Sequence, residues 1–326
     1  MKPTRVEWAD RAWNPISGCL KGCAYCTCIG RQSIFSGDVR ANKGHKDKYR
    51  FDGNMYITSE VFESNGRVLT NPFGFMPTYH RQRLKLLETL KTPMSTIVSY
   101  DGEMFGPWVP DEYIREIFEA TAEYPRQRFL YITAFPKRYE SLEAKGILPA
   151  GDNQWFGWSH TAGKVEDVPH IKGHKYLVIA PLLGEVSEIP EDVEWVILGR
   201  DQKKYKEQVT PEKKWVDRII AECKEKQIPL FMESNIYEFA SWIKNEYPQS
   251  FAAIAYSDKR IEMYMTKCGR CKKEGRKKEF ATVTIRYGRK DNYRAGFFCK
   301  ECLKEICREY DFRYAPEGEI KNKTEK

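Results

Sequence analysis

The chain has 326 residues, of which 41% are hydrophobic and 13% aromatic. That excludes a disordered chain and leaves room for about two domains of ~100–200 residues each. No run of about 18 apolar residues occurs, and the N-terminus has no apolar signal stretch, so the sequence predicts a cytoplasmic protein without a membrane span. The net charge of +8 is uneven: residues 267–326 hold 18 Lys+Arg against 10 Asp+Glu, leaving 36 of each in residues 1–266. Either a C-terminal module meets an anionic partner, or this is a solvated face that keeps the chain soluble.

In chain order, the first strand leads into a cysteine-rich loop. Residues 30–80 follow, rich in Gly, Asn, Lys and aromatics with weak periodicity, and read as an irregular insertion of the functional-lid type. From residue 95 onward, apolar runs alternate with amphipathic ones. Strands are expected at 95–105, 128–135, 154–160, 175–184, 194–201 and 229–235. Helices are expected at 111–124, 137–146 and 212–227. Such alternation implies a parallel sheet with covered faces, and its length favours a full or partial (β/α) barrel. In barrels, chemistry gathers at the C-terminal strand ends, where Ser159, His160, Arg200, Asp201, Glu233 and Asn235 fall. The pattern changes after residue 260. A hairpin (280–288 and 292–299) and a helix (300–312) then form a second unit, giving domains 1–260 and 261–326.

Ten cysteines in a long chain without an export signal read as metal ligands and not as disulfides. The spacing Cys19-x3-Cys23-x2-Cys26 suits thiolate ligation of a [4Fe–4S] cluster. Three ligands leave one iron open to a chelating small molecule. Gly18 and Gly22 suit a loop that wraps closely around a cluster. A zinc site that also uses Cys28 is the alternative, though Cys26-x-Cys28 is a cramped spacing. The second set, Cys268-x2-Cys271-x27-Cys299-x2-Cys302, has the spacing of a closed structural zinc site, with a rubredoxin-like iron or a second cluster as alternatives.

The segments VEWADRAWNPISGCLKGCAYC, VPDEYIREIFE, YITAFPKRYE, APLLGEV, EWVILGRD and PLFMESN occur in the order found in a phage-associated radical-SAM-like protein family of unknown function. The resemblance covers roughly residues 4–235. It implies a partial (β/α)6 radical SAM barrel, related in style to spore photoproduct lyase. It also implies a cluster on Cys19, Cys23 and Cys26 with S-adenosylmethionine (SAM) on the open iron. Reductive cleavage of SAM would then give methionine and a 5′-deoxyadenosyl radical, with electrons from a flavodoxin- or ferredoxin-type donor. Radical SAM barrels often end the strand after the cluster in Gly-Gly-Glu, which holds the SAM amine. Asp101-Gly102-Glu103 is a near match, so Asp101 and Glu103 become cofactor-binding candidates, with Ser159 and Arg200 beside them. Two departures stand out. The family's usual Glu before Pro-Leu-Leu-Gly is Ala180 here, and its usual Ser-Asp-Leu-Phe is Gly102-Glu103-Met104-Phe105.

The C-terminal module resembles a treble-clef or zinc-ribbon finger. Lys272, Lys273, Arg276, Lys277, Lys278, Arg286, Arg289, Lys290 and Arg294 are interleaved with Tyr287, Tyr293 and Phe297, a composition that suits phosphates and bases. The expected function is a radical SAM enzyme that modifies or repairs a nucleic acid or nucleotide. The alternatives are a radical SAM enzyme acting on a peptide or small metabolite, and a non-catalytic metal-stabilised nucleic-acid-binding phage accessory protein.

Overall fold

The computed structural model describes residues 4–202, 208–249, 265–276, 281–287, 291–309, 312–314 and 320–322. Two compact units emerge, Met1–Ile254 and Ala255–Lys326.

The first unit is built on seven strands: β1 (Arg11–Trp13), β2 (Ser95–Val98), β3 (Arg128–Thr133), β4 (Gln154–Ser159), β5 (His174–Leu182), β6 (Trp195–Arg200) and β7 (Leu230–Met232). They lie side by side in chain order, and every neighbouring pair is parallel. The order never reverses, so there is no switch point of the doubly wound kind, and each crossover carries the chain in the same sense. The result is a curled half-barrel, open because β1 and β7 do not pair. The six strands expected from residue 95 onward are all present, and β1 is the strand that feeds the cysteine loop.

The two faces of the sheet have different partners. Helices α3 (Asp111–Ala122) and α4 (Lys137–Ala144) turn Tyr113, Ile114, Ile117, Phe118, Tyr139 and Leu142 onto Trp13, Val98, Phe129, Tyr131 and Phe156. Side chains alternate across a strand, so Ile97, Leu130, Trp155, Tyr176, Trp195 and Phe231 form a core on the opposite face, filled by Val6, Trp8 and Ala9 of the N-terminal segment. The last helix of this unit, α5 (Lys213–Glu225), buries Val216, Ile219, Ile220 and Cys223. Cys223 sits in its last turn, which leads into the N-terminal end of β7, the end of the sheet away from the cysteine loop.

Residues 30–80, expected to be irregular, are ordered. They hold most of the short helix α1 (Cys28–Ser33), α2 (Val39–Gly44) and three strands that join Ile16–Ser17 in a second sheet, in the order Ile16–Ser17, Thr78–His80, Met55–Thr58, Tyr49–Asp52. Tyr56, Phe62 and Phe73 form its own small core, with the Tyr56 and Phe73 rings stacked at 4.0 Å. Strands of two to four residues are too short to show a periodicity, which is why the sequence concealed them.

In the second unit Ala281–Tyr287 and Asp291–Phe298 pair as an antiparallel hairpin, and α6 spans Lys300–Glu309. The expected domain boundary at 260 and 261 lies outside the described residues. Among the described residues, no helix is long and apolar enough to cross a membrane.

Candidate metal centres

The loop of Cys19, Cys23 and Cys26 is fixed at the C-terminal ends of β2 and β3 by backbone bonds and a few polar side chains. After β1, Asn14 donates to the Asp101 carboxylate (3.0 Å) and accepts from the Asp101 N–H (3.2 Å). Gly18 and Gly102 then form a parallel bridge. The Gly18 N–H donates to the Asp101 carbonyl (3.1 Å), and the Glu103 N–H donates to the Gly18 carbonyl (3.0 Å). Neither position tolerates a side chain. A Cβ on Gly102 would lie 2.8 Å from Gly18 N, Ser17 C and Ser17 Cα, and one on Gly18 would lie 2.3 Å from the Met76 carbonyl oxygen. Gly18 also has φ +81°, a left-handed conformation that favours glycine. The Cys19 N–H donates to the Phe75 carbonyl (3.1 Å), which ties the loop to the small second sheet as well.

Glu103 is 6% exposed and lies under this loop. Its Oε1 accepts from Phe105 N (3.0 Å) and Thr133 Oγ1 (2.7 Å), and its Oε2 accepts from Ala134 N (2.9 Å). A carboxylate offers about four acceptor sites, so one direction on Oε2 remains. Burial raises the Glu103 pKa, against the pull of those three donors and Lys21. Lys21 itself donates to the Ala134 carbonyl (3.2 Å), so the loop clasps the end of β3.

The three thiols are half-buried. Burial pushes Cys19 up to about 11. The Lys21 N–H opposes this, while the charges of Glu103, Cys23 and Cys26 add to it. Cys23 and Cys26 are thus near enough to act on Cys19 electrostatically. Tyr25, raised to about 12 by burial first, also hydrogen-bonds Cys23. The Cys28 thiol is turned to the Tyr100 carbonyl (4.0 Å).

The second cysteine set differs in size. The sulfurs of Cys268, Cys271, Cys299 and Cys302 all lie within 4.8 Å of one another. A tetrahedral ion with metal–sulfur bonds of about 2.3 Å holds its sulfurs about 3.8 Å apart, and Cys271 and Cys299 are 3.8 Å apart. Cys268 is lowered to about 6: burial opposes this, but the N–H groups of Cys299, Cys271 and Arg270 outweigh it. Cys19, Cys23 and Cys26 form no such tight group among the described residues. The second set is thus drawn to the size of one ion.

The remaining sequence candidates separate. Trp155, Gly157 and Ser159 share a strand face, so Ser159 faces the same side as the Trp155 core, with its hydroxyl 3.4 Å from the Thr133 carbonyl. Arg200 is turned away from that side and pairs with Glu238 (2.8 Å) over the Phe239 ring. The Asp101 carboxylate serves Asn14, as above. Of the basic residues in 272–294, Lys277, Lys278, Arg289 and Lys290 lie outside the described residues, and Arg276, Arg286, Arg294, Tyr287, Tyr293 and Phe297 are described in backbone only.

The end of β7 holds an acid given no firm role by the sequence. Glu233 lies over Gly199, where a Cβ would come within 2.3 Å of its Oε2. It accepts from Trp8 Nε1 (3.3 Å) and Asn235 Nδ2 (3.0 Å). Burial, reinforced by Glu7, pushes it from an ordinary 4.5 up to about 7, against the donors on Asn235, Trp8 and Gln202. Between pH 4.5 and 7 the folded chain keeps a proton that the unfolded chain has released, so stability falls as pH rises through that window. Glu233→Gln is expected to flatten the slope, by about 3 kcal/mol at most across the window. Urea unfolding at a series of pH values checks this, and an unchanged slope in the variant would contradict it.

The geometry so far defines a parallel half-barrel protein with a cysteine loop pinned at its C-terminal rim and a separate four-cysteine unit. The chain belongs to a family described as "Protein of unknown function (DUF5131)", which it matches over residues 3–284. No curated protein matches it. Two solved structures of spore photoproduct lyase mutants are similar to it, one of them with bound AdoMet and dinucleoside spore photoproduct. They share 11% and 10% identity with TM-scores of 0.37 and 0.34, and in each case the match covers 98% of this chain and 78% of the other.

Proposed function

We propose that the protein is a radical SAM enzyme acting on a nucleic acid or nucleotide. The observation that carries this is the cysteine loop. Three half-buried thiols stand at the C-terminal rim of a parallel half-barrel, pinned there by the Gly18–Gly102 bridge. Cys19, Cys23 and Cys26 would hold a [4Fe–4S] cluster, whose open iron takes the amine and carboxylate of SAM. When bound, this pair supplies one-electron reductive cleavage of a C–S bond. An external flavodoxin- or ferredoxin-type protein would supply the electron.

The chain's own residues position and shield. Glu103 braces β2 against β3 under the loop and keeps one acceptor direction for an ammonium group. Asp101 and Asn14 fix the entry to the loop. Ser159 offers a hydroxyl on the face opposite α3 and α4. Arg200, held by Glu238 and Phe239, stiffens the rim near β7. Burial of Cys19 keeps it protonated near neutral pH, so loading the site releases protons and is favoured by alkaline conditions.

The second unit would hold Zn2+ on Cys268, Cys271, Cys299 and Cys302 and dock nucleic acid through residues 272–294. The charge excess of the last 60 residues supports that substrate class. The test is SAM cleavage by reduced, reconstituted protein, with and without single-stranded DNA or RNA. Nucleic acid is expected to raise the 5′-deoxyadenosine yield, and a yield indifferent to nucleic acid but raised by a peptide would contradict the substrate class.

A further inference from the structure

A cavity of about 450 Å³ opens at the same rim, where the ends of β2 and β3 meet the start of α4. That volume is in the range of small-molecule sites. Its position is tied to the cysteine loop through one residue. Ala134, on its wall, gives its N–H to Glu103 and its carbonyl to Lys21. Anything seated there lies beside the loop.

The lining has two chemistries. Half-buried Phe135 supplies flat apolar surface, with the Lys21 ammonium 5.1 Å over its ring and Trp108 in a T-shaped contact with it at 5.5 Å, while Phe105 is fully buried. The polar groups on α4 are donors. Arg138, on the same helix, is committed to the Val109 carbonyl and the Asp111 carboxylate. The Ser141 hydroxyl has no hydrogen bond among the described residues. Lys137 is 81% exposed, with Asp167 no nearer than 3.9 Å. Asp167, the one acid on the lining, is itself 71% exposed.

Donors beside an aromatic wall suit an anion that carries a flat ring. We infer that this cavity is a nucleotide-binding pocket, which seats a base against Phe135 and a phosphate between Lys137 and Ser141. The inference rests on the nucleic-acid reading above and gives that substrate a place beside the cysteine loop. The unit bound is either a free nucleotide or one residue of a strand, since both present the same base and phosphate.

Isothermal titration of the full-length protein tests it with deoxycytidine 5′-monophosphate, whose pyrimidine does not imitate the adenosine of SAM. Parallel titrations use deoxycytidine, inorganic phosphate and a short oligodeoxycytidylate. The monophosphate is expected to bind more tightly than either of its halves. Lys137→Glu, at an exposed position that leaves folding intact, and Phe135→Ala are each expected to weaken it about tenfold, which is 1.4 kcal/mol. Tighter binding of the oligomer, with the same loss in Lys137→Glu, identifies the strand as the source. Equal binding per phosphate identifies the free nucleotide. No binding of either ligand, or unchanged affinity in Lys137→Glu, overturns the inference. SAM cleavage by the same samples separates the two readings. Cleavage without nucleotide binding at this cavity overturns the pocket alone, and binding without cleavage overturns the radical SAM reading alone.

Discussion

Gly102→Ala is expected to strip the protein of its iron while leaving the half-barrel folded. The added methyl carbon would meet three backbone atoms of Ser17 and Gly18 at 2.8 Å, and backbone cannot rotate out of the way as a side-chain tip can. Either the parallel bridge opens or the loop lifts from β2. Overpacking of this kind costs about 1–3 kcal/mol, against a typical domain stability of 5–15 kcal/mol, so the sheet survives. The loop does not keep its place, because the Gly18 N–H and carbonyl bonds to Asp101 and Glu103 are the ones that hold Cys19 over the strand ends. Iron and sulfide per chain after anaerobic reconstitution measure the effect, with thermal unfolding as the control for fold. Gly22→Ala is the useful contrast. Its Cβ would meet nothing within 4 Å, so only the φ of +68° resists the change, and iron is expected to be partly retained. Full iron in Gly102→Ala would show that the bridge is not what positions the loop.

Cys268→Ser is expected to release the ion of the second unit and open its hairpin and helix, with the first unit untouched. A closed four-thiolate site contributes on the order of 10 kcal/mol of binding free energy to folding, more than the few kcal/mol that a core of this size supplies alone. Three thiols remain in the variant, but the lost one is the most buried of the four, with no exposed surface. Its carbonyl also accepts from the Lys272 N–H (3.1 Å), and its own N–H donates to Lys273 (2.9 Å), so it anchors the turn that brings Cys271 inward. Metal content and limited proteolysis of the whole chain check this. Cleavage confined to residues beyond 264 and loss of one zinc per chain are expected. A variant that keeps both its zinc and its protease resistance would contradict a structural ion here.

Much of the frame was legible because its signals are local. Parallel strands buried on both sides read as continuous apolar runs, as in Trp195–Arg200, and α3 shows its buried stripe at Tyr113, Ile114, Ile117 and Phe118 with helical spacing. The cysteine spacings are just as local, and the second set, Cys268, Cys271, Cys299 and Cys302, does come together within 4.8 Å. What stayed hidden depends on residues far apart in sequence. Gly102 reads as an ordinary loop glycine until Ser17 and Gly18 are laid against it, 84 and more positions away. The burial of Glu103 follows from Thr133 and Ala134, and that of Glu233 from Trp8. Arg200 ends its strand as the pattern predicts, yet its parity turns it to Glu238, because one step along a strand changes the face. The small sheet within residues 30–80 escaped for a different reason, since its strands are shorter than one readable period.

The central claim is that Cys19, Cys23 and Cys26 hold a cluster that cleaves SAM. Its most direct test is anaerobic. The protein is reconstituted with iron and sulfide, reduced and given SAM, and 5′-deoxyadenosine is quantified by mass spectrometry beside a variant with all three cysteines changed to alanine. The account predicts deoxyadenosine from the native chain and none from the variant. A folded, zinc-loaded native protein that binds no iron and releases no deoxyadenosine would contradict it.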